Sequence, residues 1–138
     1  MDRLVIDTNS LIQMLPARSR FHDIWQSVLD GRNFLCVSNE ILEEYEEILQ
    51  RKFNSDLASI VIATIISNKY TKFITPYYHF NLIKEDPDDN KFVDCAVSGS
   101  ARYIVSEDHH FSGLKKIDFP RVDVLTLEEA LEEVSKSC

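Results

Sequence analysis

The chain of 138 residues lacks any apolar run of the length that spans a membrane. A transmembrane helix needs about 20 consecutive apolar residues, and the longest candidate, residues 57–66, is interrupted by Ser59 and Thr64. The N-terminal residues have the pattern of neither a signal peptide nor a transit peptide. The sequence therefore predicts a cytoplasmic protein with a single domain over residues 1–138, large enough to bury a core without disulfides.

Cysteine is also scarce. Cys36, Cys95 and Cys138 form an odd, scattered set with no Cys-x-x-Cys spacing. That spacing is typical of zinc sites and redox motifs, and an even number of cysteines is typical of disulfide frameworks. We therefore expect reduced thiols.

An excess of positive charge is missing as well, since 15 Lys and Arg oppose 23 Asp and Glu for a formal net charge of -8. Proteins that bind nucleic acid usually carry a basic surface. However, much of the acid lies in residues 40–47 and 128–133, which have the pattern of solvent-facing helix surfaces. The charge therefore argues only weakly against a nucleic-acid substrate.

Strand and helix patterns alternate along the whole chain, without repeats or a linker. Alternation of this kind predicts an α/β fold with a mostly parallel sheet and helices on both faces, a three-layer, Rossmann-like arrangement. The helix at residues 56–67 is apolar nearly all round and is expected to be buried. Helix ends are predicted by Gly31, by Ser38 and by the capping box Thr126 to Glu129. The predicted strands are 4–6, 34–37, 72–74, 103–105 and 122–125, and the predicted helices are 21–29, 41–49, 56–67, 92–97 and one beginning after Thr126.

Carboxylates follow two of the predicted strands directly. Asp7 comes after Val5-Ile6, and Asp108 comes three residues after Val105. Because ligands of open α/β sheets bind at the carboxyl ends of the strands, both side chains are expected in one crevice. The alternative for Asp7 is an ordinary role in a turn or as the cap of the next helix.

A third acidic group surrounds the start of the predicted helix at 92–97. It comprises Asp86, Asp88, Asp89 and Asp94. Capping is an equal alternative for Asp88, whereas Asp89 lies near the apolar face that Phe92 begins one turn later. On the helix at 41–49, a turn of 100° per residue places Glu44 and Glu46 on the two borders of the apolar stripe. Periodicity does not choose between them.

Four motifs lie in order along essentially the whole chain: Asp7-Thr8-Asn9, Ser38 to Tyr45, Asp86 to Phe92, and Ser106-Glu107-Asp108. Together they resemble the PIN domain family. The resemblance is strongest to VapC-like bacterial proteins assigned as toxins of toxin–antitoxin pairs. It implies an acidic quartet at Asp7, Glu44, Asp89 and Asp108, with supporting polar groups at Asn9 and Ser106. Asp94 stays open between a ligand, a support and a surface residue, and Glu107 departs from the smaller residue common at its position.

The resemblance also implies chemistry and partners. An all-carboxylate site suits Mg²⁺ or Mn²⁺, and the implied activity is metal-dependent endonucleolytic hydrolysis of RNA. The implied partners are RNA, a cognate antitoxin and a second copy of the chain. Asp7 is then a metal ligand and not a nucleophile. The candidate RNA contacts are Lys91 and, more weakly, Lys115, Lys116, Arg18 and Arg20, while His109 and His110 are expected to be exposed turn residues.

Two other functions compete with this hypothesis. One is a non-catalytic PIN-like module that binds RNA or protein. The other is a phosphatase with Asp7 as nucleophile, in the manner of haloacid dehalogenases. That family generally has a second Asp two residues after the first, where this chain has Asn9.

Overall fold

The five described strands form a single parallel sheet, as the sequence predicts. The computed structural model describes residues 2–76, 78–83, 89–108, 111, 114 and 121–136. The order of the strands across the sheet is β3-β2-β1-β4-β5, and every neighbouring pair is parallel. The strands are β1 (Asp2–Ile6), β2 (Asn33–Val37), β3 (Lys72–Phe73), β4 (Tyr103–Val105) and β5 (Asp123–Leu125).

Helices cover both faces of this sheet and complete a three-layer α/β/α fold. None of the helices in the described part of the chain is long and apolar enough to cross a membrane. The helix α5 packs against β1, β2 and β4, and α2 packs against β2 and α6. The helices are α1 (Thr8–Met14), α2 (His22–Leu29), α3 (Asn39–Lys52), α4 (Ser55–Ser67), α5 (Asn90–Ser98) and α6 (Leu127–Lys136).

The predicted helix boundaries at three places are confirmed. The Ser38 hydroxyl accepts a hydrogen bond from the backbone N–H of Ile41 at the start of α3. At α6, the Glu129 carboxylate accepts from the Thr126 N–H and the Thr126 hydroxyl accepts from the Glu129 N–H, as in a capping box. Gly31 follows α2 with a φ of +86°, a conformation that side chains other than glycine rarely adopt.

The order in which strands are added to the sheet reverses between β1 and β4, although all the strands are parallel. From β1 the chain builds outward to β2 and β3, then returns to β4 on the other side and continues to β5. Ile6 is paired with Val105, so both strands end at the same level. Such a reversal leaves a crevice at the carboxyl ends of the two strands, because their following loops run in opposite directions.

Two features of the helices differ from the prediction. α4 is not buried all round: Ala58, Val61 and Ile65 are buried, but Ile60 is 62% and Ile66 53% exposed. This prediction was wrong because α4 packs on α3 with one face, and the opposite face has no layer over it in the described part of the chain. The short helix α1 was not predicted, because it opens with residues of low helix propensity and spans only two turns.

Candidate active site

Asp7 and Asp108 are joined through Ser106 at the reversal between β1 and β4. The Ser106 hydroxyl donates to Asp7 Oδ2 and accepts from the backbone N–H of Asp108 at 2.9 Å. Asp7 Oδ1 also accepts from the Ser10 N–H at 2.9 Å and caps α1. The two interpretations of Asp7 from the sequence, helix cap and site residue, are therefore compatible in one side chain.

The surroundings of Asp7 raise its pKa above the ordinary value for a carboxyl group. Burial raises the pKa of Asp7 because water is excluded from the charged carboxylate, and Asp108 raises it further by repulsion. Hydrogen bonds from Ser10 and Ser106 offset part of this rise. Asp7 is only 6% exposed, so the metal-free protein holds a carboxylate in an environment that a cation would stabilise.

Glu44 is connected to Asp7 through the following residue, Thr8, and uses both of its carboxylate oxygens. Thr8 Oγ1 donates to Glu44 Oε2, and Lys91 Nζ lies 2.9 Å from Glu44 Oε1. The following residue, Tyr45, is fully buried and donates its hydroxyl hydrogen to the Ile6 carbonyl, which fixes α3 against the end of β1. Glu46, the other candidate on this helix, is exposed.

The two acids of α5 have different positions. Asp89 is half-buried and occupies the N-cap position of α5, without a side-chain capping hydrogen bond. Asp94 is buried, and its carboxylate accepts from the Phe80 N–H at 3.0 Å and lies 3.1 Å from His79 Nδ1. Together with Asn90, which forms two 2.8 Å hydrogen bonds with the backbone of Ile83, Asp94 fixes residues 78–83 against α5.

An open cleft of about 410 Å³ lies beside the paired acids. Its lining includes the exposed side chain of Asn9, and Lys52 from the last turn of α3. Glu107 also lines it and accepts the backbone N–H of Leu127 at 2.8 Å, so the residue that departs from the family pattern caps α6. The lining residues are Asp7, Asn9, Ile12, Gln13, Lys52, Glu107 and Asp108.

The basic residues predicted to contact RNA have varied surroundings. Lys91 is paired with Glu44, Arg20 is paired with Glu128 of α6, and Arg18 is exposed. Sequence reasoning missed Lys52 in the cleft and Thr8 as the partner of Glu44; Thr8 lies inside a recognised motif, whereas no pattern distinguishes Lys52. Outside the described residues lie Asp86, Asp88, His109, His110, Lys115 and Lys116.

Another cavity, of about 460 Å³, lies at the opposite end of the strands, where Tyr103 is paired with Asp123. Its charged groups pair with one another or with near neighbours. Arg102 contacts Asp2 and Glu133, and Arg121 contacts Asp123. This cavity offers no set of groups suited to acid–base or metal chemistry comparable with the cleft at Asp7.

The donor set at the cleft is compatible with a hard divalent cation. Among the residues that the structure describes, no three His, Cys, Asp or Glu side chains are grouped to hold a metal ion. Mg²⁺ commonly binds proteins through only one or two carboxylates and keeps water as its remaining ligands. The buried Asp7 carboxylate beside Asp108 meets that requirement, and its oxygen chemistry suits Mg²⁺ or Mn²⁺.

Comparisons with known proteins agree with the fold. The chain is similar to the crystal structure of VapBC2 from Rickettsia felis bound to a DNA fragment from their promoter, with a TM-score of 0.62 and 13% identity over 90% of this chain and 98% of that one. It is also similar to VapC20 of Mycobacterium tuberculosis, a Sarcin-Ricin loop cleaving toxin, with a TM-score of 0.53 and 14% identity over 79% and 92% of the two chains.

At such identities the similarity shows the fold. No curated protein sequence matches the chain. The PIN domain family model matches residues 3–110, which include every member of the predicted quartet. The chain belongs to the PIN domain family.

Proposed function

We propose that this protein is a metal-dependent endoribonuclease that hydrolyses RNA at the cleft beside Asp7 and Asp108, and that it is the toxin of a toxin–antitoxin pair. The observation that carries the proposal is the link through Ser106 between the Asp7 carboxylate and the backbone N–H of Asp108, beside a cleft that both acids line. It lies at the sheet reversal of a PIN domain chain, where α/β folds bind their ligands. The cofactor proposed is Mg²⁺ or Mn²⁺.

Asp7 and Asp108 would hold the ion, and Asp89 is a further candidate ligand at the start of α5. Such an ion supplies Lewis acidity toward a phosphate oxygen and toward water. Ser106 keeps Asp7 oriented, because its single proton is donated to that carboxylate. Lys52 lines the cleft and would meet the phosphates of a bound strand, and Arg18 is an exposed candidate for a further phosphate contact.

Cleavage of a labelled single-stranded RNA in Mg²⁺ or Mn²⁺ tests the activity. We expect D7N to cut at least about 100-fold more slowly than the wild type, since it removes a charged ligand. D56N is the matched control, because Asp56 is an exposed carboxylate in the first turn of α4. D56N should cut at the wild-type rate.

Three results would contradict the proposal. Equal cleavage by the wild type and D7N would assign the activity to a contaminant. Loss of phosphate-ester hydrolysis in D7N, with RNA never cut, would favour the phosphatase. RNA that is bound but left intact by the wild type would favour a binding module.

The proposal also includes a cognate antitoxin, a homodimer and a cytoplasmic location. The VapBC2 structure from Rickettsia felis, to which this chain is similar, contains both components of such a pair. Expression of the chain alone should arrest bacterial growth, and coexpression of the short protein encoded next to it should restore growth. Light scattering on the purified chain should give the mass of two copies. Normal growth under expression of the wild type would contradict the toxin role.

A further inference from the structure

The ion pair between Lys91 and Glu44 separates Glu44 from the acids that would bind a metal ion. Lys91 Nζ lies 2.9 Å from Glu44 Oε1, while Thr8 donates to Oε2. The Lys91 side chain is 15% and the Glu44 side chain 25% exposed. Each oxygen of Glu44 therefore already has a donor within the protein.

The ion pair is connected to the residues of the cleft through Thr8, the sequence neighbour of Asp7. Thr8 directly follows Asp7 and is buried. Lys91 lies in the first turn of α5, two residues after Asp89, and its ammonium group lies 5.9 Å from the Phe92 ring centroid. Because these contacts join α1, α3 and α5, the ammonium is held by the fold itself.

We propose that the Lys91 ammonium takes the place of a second cation in this site. The protein then binds one divalent ion, at Asp7 and Asp108, and Glu44 is not a ligand of that ion but the counter-charge of Lys91. This inference rests on the proposed function, because it concerns the same metal site. It differs from the ligand role that the family resemblance implies for Glu44.

A ligand role for Glu44 would require a rearrangement that the structure disfavours. Glu44 would have to leave Lys91, Thr8 or both, and a partly buried ammonium would lose its partner. Removing one member of a buried ion pair is strongly unfavourable, because the remaining charge is left uncompensated. The Lys91 ammonium already supplies one positive charge to Glu44, so this carboxylate is neutralised without a metal ion.

Titration calorimetry of Mn²⁺ into chelator-treated protein tests the inference with a readout independent of activity. The decisive variant is the double substitution K91M/E44Q, which removes both charges of the pair and leaves the net charge unchanged. We expect it to bind one Mn²⁺ with nearly wild-type affinity. D108N should bind Mn²⁺ at least about tenfold more weakly, because even the loss of a group that only supports a metal ligand lowers the affinity by about this factor.

The single substitution K91M should increase Mn²⁺ binding. It leaves the Glu44 carboxylate unopposed, so we expect a second Mn²⁺ per chain or binding at least about tenfold tighter than the wild type. K91R keeps the charge and should retain one ion. Circular dichroism of each variant controls for folding.

The outcomes separate this inference from the proposed function. If K91M/E44Q loses as much affinity as D108N, Glu44 is a ligand and the inference is overturned while the metal site stands. If K91M titrates as the wild type does, the inference is likewise overturned. If the wild type binds no Mn²⁺, the metal-dependent function itself fails.

Discussion

Replacing Asp7 by Asn should stabilise the metal-free protein at pH 7. The substitution removes a charge that is 6% exposed and that Asp108 repels. The amide oxygen of Asn can accept the Ser10 N–H as the Asp7 carboxylate does, and Asn caps helices about as well as Asp. The amide nitrogen takes the place of the second oxygen and cannot accept the Ser106 hydroxyl hydrogen, so part of the gain from removing the charge is offset at that contact.

The size of this gain follows from opposing contributions. Taking the Asp7 carboxylate out of water is the largest contribution and costs about 3–4 kcal/mol, whereas repulsion by Asp108 adds the least. Hydrogen bonds to a charged acceptor are worth about 1 kcal/mol more than neutral ones, and Asp7 accepts from Ser10 and Ser106. The net gain is about 1–2 kcal/mol. For 138 residues this raises the Tm by about 3–7 °C.

The gain should depend on pH with a definite sign. Because the folded-state pKa of Asp7 is raised above 3.8, the native wild type binds more protons than the unfolded chain between that value and its folded pKa. The free energy of unfolding of the wild type therefore falls as the pH rises through this interval. D7N lacks this titration, so its advantage should be small near pH 4 and full at pH 7.

Scanning calorimetry in chelator at both pH values measures the advantage, with D56N as an exposed control that should change the Tm little. Saturating Mn²⁺ should reverse the order of the two proteins. An ion at 100 times its Kd adds about 2.7 kcal/mol to the wild type and little to D7N. A Tm of D7N at or below that of the wild type at pH 7 in chelator would refute the reasoning.

Three further predictions concern the surrounding fold. Y45F should lower the Tm by about 3–7 °C in calorimetry, since it leaves a buried carbonyl at the end of β1 without its donor at a cost of about 1–2 kcal/mol; an unchanged Tm would contradict this hydrogen bond. G31A should destabilise the protein in urea titrations, because the φ of +86° is strained for alanine and the new Cβ would lie 2.6 Å from the Tyr70 ring. Burial raises the pKa of the Cys36 thiol to about 11 and raises that of Cys95, so peptide mapping after alkylation at pH 8 should find both unmodified in the native protein and modified in urea.

The pairing of Asp7 with Asp108 could be anticipated from the sequence. Both acids follow apolar β-branched runs, and the carboxyl ends of parallel strands meet at one edge of the sheet. The prediction needed only local patterns and the direction of the strands. The register that brings Ile6 opposite Val105 was not needed for it.

The partners of Glu44 could not be anticipated in this way. Helical periodicity places Glu44 at the border of the apolar stripe of α3, but its donors Thr8 and Lys91 come from α1 and α5. Contacts between elements depend on how helices are seated on the sheet, which a one-dimensional period does not contain. The error at α4 has the same origin, because composition does not tell which face of an apolar helix is covered.

The contact between Glu107 and the first turn of α6 has a mechanical consequence for the cleft. Glu107 lies in the loop beside Asp108 and holds the Leu127 N–H, while Arg20, beyond α1, is paired with Glu128. The exposed ion pair contributes little to stability, so the Glu107 contact is the stronger of the two. The last helix therefore connects the loop that carries Asp108 to the segment that follows α1. A displacement of Glu107 away from the cleft requires α6 to move with it or to lose this hydrogen bond.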